Sequence, residues 1–387
     1  MNIKDADQTY VANTYARFDL TLTEGKGSLI KDDAGKTYID MGTGIAVNIF
    51  GVADDVWQQA VCEQISRLPH ACNLYYTAPQ AELAKLLCEK TGMKKVFFGN
   101  SGAEANECMI KMARKFACDT SGEESPVIVT LENSFHGRTV TTLSATGQNS
   151  FHQNFGPFTP GFVHVEPDDF SQIAAVLENP KVCAVMLEMV QGEGGIHVLN
   201  KNYVQQVAAL CKEKGVLLLV DEVQTGNGRT GELYAYMHYG ISPDAVSTAK
   251  GLGGGLPIGA CMMNEKTAGV LTSGTHGSTF GGNPVCAAGA LSIVKRLDDA
   301  LLAGVREKGK YIVETLANAP GVKSISGLGL MLGIETEKPA KEVVAACQNK
   351  GVLVLTAKHK VRLLPALNIP MELLIQGIEI LKEAIAS

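Results

Sequence analysis

The stretch VLLLVDEVQTGNGRTGELYAYMHYGISPDAVSTAKGLGGGLPIGACMM, Val216–Met263, decides the fold. Val216–Val220 is an unbroken aliphatic run, the pattern of a strand buried on both faces of a parallel sheet, and it ends in a carboxylate, Asp221. In an open α/β sheet ligands bind at the carboxyl ends of the strands, so an acid directly after such a strand faces a cleft. Twenty-nine residues on, behind a second short apolar stretch (Asp244–Thr248), lies Lys250, inside Thr-Ala-Lys-Gly-Leu-Gly-Gly-Gly. A lysine between a small residue and glycines is a candidate nucleophile, because backbone and ligand approach it without side-chain obstruction. Singly, each residue also has an ordinary reading: an aspartate capping a helix, a lysine in a surface loop.

Together they have a chemical use. Pyridoxal phosphate is an electron sink held as a Schiff base by a lysine and kept protonated at its ring nitrogen by an acid. The segment closely resembles the cofactor-binding signature of the class III aminotransferases, which are fold-type I enzymes. The resemblance implies an α/β fold: a large domain with a mostly parallel sheet flanked by helices, and a smaller α+β domain. It also implies Lys250 as the Schiff-base amine and Asp221 as the partner of the ring nitrogen. Val223 and Gln224 would lie beside the cofactor, with Gln224 in reach of its phenolic oxygen.

At 387 residues the chain is too long for one small core. We expect an N-terminal meander (1–50) belonging to the small domain, a large cofactor-binding domain (51–284) and a C-terminal small domain (285–387). The net charge of −6 argues against nucleic acid or an anionic membrane as the main partner. No apolar run is long enough to span a bilayer and the opening MNIKDADQTY is polar, so the expected compartment is the cytoplasm. Ten cysteines fall without C-x-x-C pairs and eight histidines without H-E-x-x-H, so no metal is expected and the cysteines read as small buried hydrophobes.

Further site candidates follow other strands. Lys95–Gly99 reads as a strand running into Asn100-Ser101-Gly102-Ala103-Glu104-Ala105-Asn106 and then a helix. A helix N-terminus favours phosphate through its free N–H groups and its dipole, which makes Gly102 and Ala103 a phosphate cradle; Ser101 is an N-cap or a further cofactor contact. After the strand Val127–Leu131 comes Phe135, a flat ring able to stack on a pyridine, then His136 and Arg138. The resemblance puts Phe135 over the cofactor and Arg138 on a substrate carboxylate, which its planar fork matches bidentately. His136 competes as a general base, but fold-type I enzymes give proton transfer to the lysine.

The strand Val182–Leu187 ends in Glu188 and leads to Gln191-Gly192-Glu193, with Met189 where the family usually has proline. Arg362, in Val-Arg-Leu-Leu-Pro, is flanked by apolar residues. By resemblance Glu193 is a switch that neutralises Arg362 for an ω-amine donor and frees it for the α-carboxylate of glutamate. Tyr15, in Asn-Thr-Tyr-Ala-Arg, resembles a tyrosine at the substrate's carboxylate end. Ser278 and Thr279, in a Gly-rich loop before Pro284, match residues that the family supplies from the second subunit, Thr279 to the phosphate and Ser278 near substrate. A homodimer is therefore implied. Gly226-Asn227-Gly228-Arg229-Thr230-Gly231 fits G-x-G-x-x-G but opens no clear βαβ helix, so a dinucleotide site is rejected.

Elsewhere, residues 1–20 read as an irregular lead, followed by strands near Thr21–Thr23, Ser28–Lys31 and Thr37–Asp40 that must pack on something else. Residues 54–92 read as two helices around Asn73–Thr77, a connection that is either an interior contact or a dimer surface. Gly51-Val52-Ala53-Asp54-Asp55 replaces the family's usual His-containing turn. The tail alternates strands (Val322–Ser326, Leu330–Glu335, Val352–Thr356, Val361–Leu364) with helices (Leu301–Ala319, Ala340–Lys350, Met371–Ala386). Within the family the likeness is strongest to enzymes that move the terminal amine of N2-acetylornithine to 2-oxoglutarate in arginine biosynthesis. Another ω-aminotransferase (succinylornithine, ornithine or 4-aminobutyrate) stays open, and more remotely a racemase or mutase of the same fold.

Overall fold

A computed structural model describes residues 2–387. Its central sheet has seven strands in the order Lys95–Gly99, Gly259–Met263, Ala245–Thr248, Leu217–Asp221, Val182–Leu187, Val127–Leu131, Phe162–Val165. All run the same way except Gly259–Met263, which is antiparallel to both neighbours. This is the mostly parallel sheet expected. Leu217–Asp221 is buried at every position because both faces are covered. Leu217 and Leu219 pack with Met109 and Met112 of the helix Gly102–Ser121, while Leu218 and Val220 pack with Val204 and Val207 of the helix Lys201–Lys214. Each such leucine contributes roughly 1.5–3 kcal/mol by leaving water, so the strand bearing Asp221 is firmly held from both faces.

A second sheet pairs Leu22–Lys26, Leu29–Asp32 and Thr37–Asp40 with Val352–Leu353, and a third joins Val322–Leu328, Met331–Thr336, Lys360–Leu363 and Leu355–Ala357. The single strand expected over Val352–Thr356 is thus two. The chain switches sheets at Val354, whose side chain is buried. Hydrophobic run length could not reveal this, because both halves are apolar.

Two further expectations change. The lead is not wholly irregular: Ile3–Tyr10 is a helix, capped by Asn2 accepting from Asp5 N at 2.8 Å. None of its residues is buried, so there was no apolar stripe to read. The unusual turn at Asp54 also gains an account. Asp54 accepts from Trp57 N at 2.9 Å, capping the helix Asp55–Arg67, and pairs with Arg296 at 2.8 Å.

Candidate active site

The carboxyl ends of Lys95–Gly99, Val127–Leu131, Val182–Leu187 and Leu217–Asp221 open on one cavity of about 480 Å³. Its wall brings together Ser101, Gly102, Ala103, Phe135, Arg138, Glu193, Asp221, Val223, Gln224 and Lys250, which lie far apart in sequence.

Gly102 and Ala103 open the 20-residue helix Gly102–Ser121, where backbone N–H groups have no intrahelical acceptor. Ser101 accepts from Glu104 N at 3.1 Å, so it caps the helix and keeps its own O–H to donate. Gly102 has to be glycine: a Cβ there would lie 2.6 Å from Val223 Cγ1.

Asp221 is held on three sides. Its Oδ1 accepts from Val223 N at 2.9 Å, and its Oδ2 from Asn106 Nδ2 at 2.7 Å and from His136 Nδ1 at 2.8 Å. Asn106 also donates to the His136 carbonyl at 2.8 Å, locking the three together. Burial works against a proton on His136, but the hydrogen bond to Asp221 and the charges of Asp221 and Glu188 outweigh it and hold the imidazole above its ordinary pKa. His136 is therefore bound to the acid and orients it, which removes the general-base reading. Glu188 is pushed up to about 7 by burial, an effect the His136 charge opposes and the Asp221 charge reinforces. Its Oε1 accepts from Phe135 N at 2.7 Å, tying the aromatic to the strand end.

Lys250 has φ +46°, in the left-handed region, at the start of the turn Lys250–Leu252. Such a conformation costs on the order of 1–3 kcal/mol in a non-glycine residue and is typical of functional positions. Desolvation lowers its pKa, opposed by Glu193 and reinforced by Arg362, which favours the neutral, nucleophilic amine. The glycines around it divide their labour. A Cβ at Gly253 would sit 2.0 Å from Leu256 O, so that glycine closes the turn, and Gly255 is the one of the run that borders the cavity.

Arg362 lies on an inner strand and is buried; its Nη1 donates to Glu193 Oε1 at 2.6 Å and to Gln224 Oε1 at 3.2 Å. An edge-strand, solvated Arg362 is thereby excluded. Burial alone would raise the Glu193 pKa, but the charge and hydrogen bond of Arg362 bring it below its ordinary value. Gln224 Nε2 donates to the same Glu193 oxygen at 3.3 Å, so Gln224 spans the pair. Arg138 is held differently: its guanidinium lies 3.9 Å over the Phe151 ring and 5.5 Å from that of Phe135.

Four expected residues do not line this cavity in their own chain: Arg362 reaches it only through Glu193 and Gln224, and the other three lie apart. Tyr15 is 71% exposed and lines a separate groove with Asp40 and Leu355. Ser278 accepts from Asn100 Nδ2 at 3.1 Å and Gly281 N at 3.0 Å, and Thr279 is exposed. Sequence reasoning missed Asn106 and gave Glu188 no role. The signals were there: an asparagine in line with the buried stripe Met109–Ala113, and an acid at the tip of a second fully buried strand. Among the described residues no His, Cys, Asp and Glu side chains gather as a metal site, and no helix is long and apolar enough to cross a membrane.

An acid and a lysine beside a helix N-terminus, at the strand ends of a mostly parallel sheet, are a transaminase arrangement. The profile of the family "Aminotransferase class-III" matches residues 10–385, and the chain belongs to that family. It is 48% identical over 386 residues to an acetylornithine aminotransferase of Haemophilus ducreyi, covering 99% of this chain and 98% of the relative. Among solved structures, an ornithine aminotransferase of Toxoplasma gondii superposes with a TM-score of 0.94 at 32% identity, covering 99% of this chain and 93% of that one. An acetylornithine aminotransferase of Elizabethkingia anophelis gives 0.89 at 31% identity, covering 99% and 98%.

Proposed function

We propose that the chain moves the terminal amine of N2-acetylornithine to 2-oxoglutarate, giving N-acetylglutamate 5-semialdehyde and glutamate as a cytoplasmic step of arginine biosynthesis. The observation that carries this reading is the shared cavity of Lys250, Asp221 and the Gly102 helix N-terminus, alongside a separately held pair of arginines.

The residues fit pyridoxal 5'-phosphate. Gly102 and Ala103 put the free N–H groups of a helix mouth on the cavity wall, which suits a phosphate, and the fixed carboxylate of Asp221 suits a ring nitrogen. When bound, that cofactor supplies an aldehyde for the amine and a ring that withdraws electrons from the reacting carbon. Gly102 and Ala103 would hold its phosphate through backbone N–H groups, with Ser101 beside them. Asp221, oriented by Asn106 and His136, keeps a proton on the ring nitrogen. Phe135 would cover the ring, and Val223 and Gln224 would border it. Lys250 Nζ, whose neutral form desolvation favours, would take and return the proton at the substrate's reacting carbon.

Arg138 grips the donor's remote α-carboxylate. Glu193 keeps Arg362 neutralised while the donor is present, then releases it to the α-carboxylate of 2-oxoglutarate. This dual recognition of carboxylates favours transfer over racemase or mutase chemistry. The reading includes a homodimer in which Ser278 and Thr279 complete the partner's site and Tyr15 approaches the donor carboxylate. Leu74, Tyr75, Tyr76 and Phe280 support it, being large apolar side chains left exposed by the single chain. It also treats 51–284 as the large domain, with 1–50 and 285–387 as the small one.

The test measures glutamate formed from 2-oxoglutarate with N2-acetylornithine, N2-succinylornithine, ornithine and 4-aminobutyrate. Wild-type protein should prefer acetylornithine, and Lys250→Ala should be inactive with all four. Preference for unacylated ornithine would sink the substrate assignment.

A further inference from the structure

Phe151 has no part in the reading above, yet its position gives it one. It sits on the short helix Asn149–His152, and the two residues before that helix are fastened to Asn133 and Ser134, at the start of the loop that carries Phe135 and Arg138, by bonds that do not involve the arginine. Gln148 Nε2 donates to Ser134 O at 3.0 Å, Gly147 N to Ser134 Oγ at 3.0 Å, and Asn133 N to Gly147 O at 2.6 Å. The half-buried ring meets Phe135 edge-on, 5.6 Å away at 77°, and offers its face to the Arg138 guanidinium at 3.9 Å. Among the described residues no carboxylate forms an ion pair with Arg138.

We propose that Phe151 is a positioning and specificity residue: it holds Arg138 by the face of its guanidinium, selecting donors that carry a carboxylate remote from the reacting amine. The inference rests on the role given to Arg138 above. An aromatic face attracts a cation without neutralising it. All the N–H donors of a guanidinium point outward in its plane, so stacking leaves them free for a substrate carboxylate. A protein carboxylate would occupy those same edges, and an aliphatic residue would pack without attracting the charge. Phe151 thereby presents a fixed, unneutralised cation beside the Phe135 ring.

The test compares wild type, Phe151→Leu and Phe151→Tyr as cofactor-loaded enzymes. Two donors are used, N2-acetylornithine and N-acetyl-1,4-diaminobutane, which is the same molecule without its carboxylate. A binding measurement stands beside the kinetics: the calorimetric Kd of N-acetylnorvaline, which keeps the carboxylate and lacks the reacting amine. Phe151→Leu should raise the KM for acetylornithine and the Kd for N-acetylnorvaline by about two- to five-fold, the scale of an exposed cation–π contact. It should leave kcat/KM for the carboxylate-free amine unchanged, and Phe151→Tyr should keep wild-type values. An equal loss with both amines, or none with either, overturns the role of Phe151. If wild type itself turns over no carboxylated ω-amine, the functional reading falls and this inference falls with it. An active wild type with an indifferent Phe151→Leu removes this inference alone.

Discussion

Two arginines are held at the cavity by opposite means: Arg138 lines its wall, and Arg362 lies behind Glu193 and Gln224. Arg362 is buried, ion-paired to Glu193 and hydrogen-bonded to Gln224; Arg138 is exposed and stacked on an aromatic ring. A paired arginine is unavailable until its carboxylate moves, whereas a stacked one stands ready. The difference suits the division of work proposed above, in which Arg138 meets the donor's carboxylate at once and Arg362 is freed only for that of 2-oxoglutarate. It also shows why the Arg362 pair has to be close to complete: a buried charge left alone is costly, and an exposed one is not.

The strongest test of that contrast is Arg362→Ala. Stranding the half-buried Glu193 beside the cavity should cost about 1–3 kcal/mol of stability in urea unfolding, with near-complete loss of the half-reaction that uses 2-oxoglutarate. Arg138→Ala should instead raise the KM for acetylornithine by about 30- to 100-fold, the scale of losing a charge-assisted bidentate contact worth about 2–3 kcal/mol. Its urea midpoint should stay at the wild-type value; a drop matching that of Arg362→Ala would erase the distinction between the two arginines. Glu193→Gln, which leaves Arg362 unneutralised, should shift the kcat/KM ratio toward glutamate and away from acetylornithine by about ten-fold, or roughly 1.4 kcal/mol.

The smallest effect is in pH. The Glu193 pKa is held below its ordinary 4.5 in the folded chain by Arg362. Its contribution to stability is thus fully present above the unfolded value and is lost as pH falls through the folded one. Wild type should be more stable than Glu193→Gln at pH 7, with the gap closing below about pH 4.5. Arg138→Ala should track wild type across that range, and a gap that widens in acid would contradict the pairing.

Much of this was legible because it follows from local rules. Val216–Val220 announced a buried parallel strand through its unbroken apolar run, and the acid at its tip followed from where such strands end. Gly102–Ala103 announced a helix mouth. Arg362 stood out because an arginine between valine and leucine needs a partner. What escaped depended on contacts distant in sequence. Nothing local says that Gln224 spans Glu193 and Arg362, that Asn106 reaches across to Asp221, or that the ring holding Arg138 lies thirteen residues further along. The roles proposed for Tyr15, Ser278 and Thr279 rest on likeness alone, since these residues do not line the cavity of their own chain.

The sheet switch at Val354 has a consequence for how the molecule is made. Thr37–Asp40 leaves the ribosome early, yet its neighbour Val352–Leu353 is synthesised some three hundred residues later. Until then the edge of the first meander has no partner, and closing so long a loop is slow. The opening strands of this chain wait for nearly the whole polypeptide before their sheet is complete, and during that interval their free edge is open to neighbouring chains.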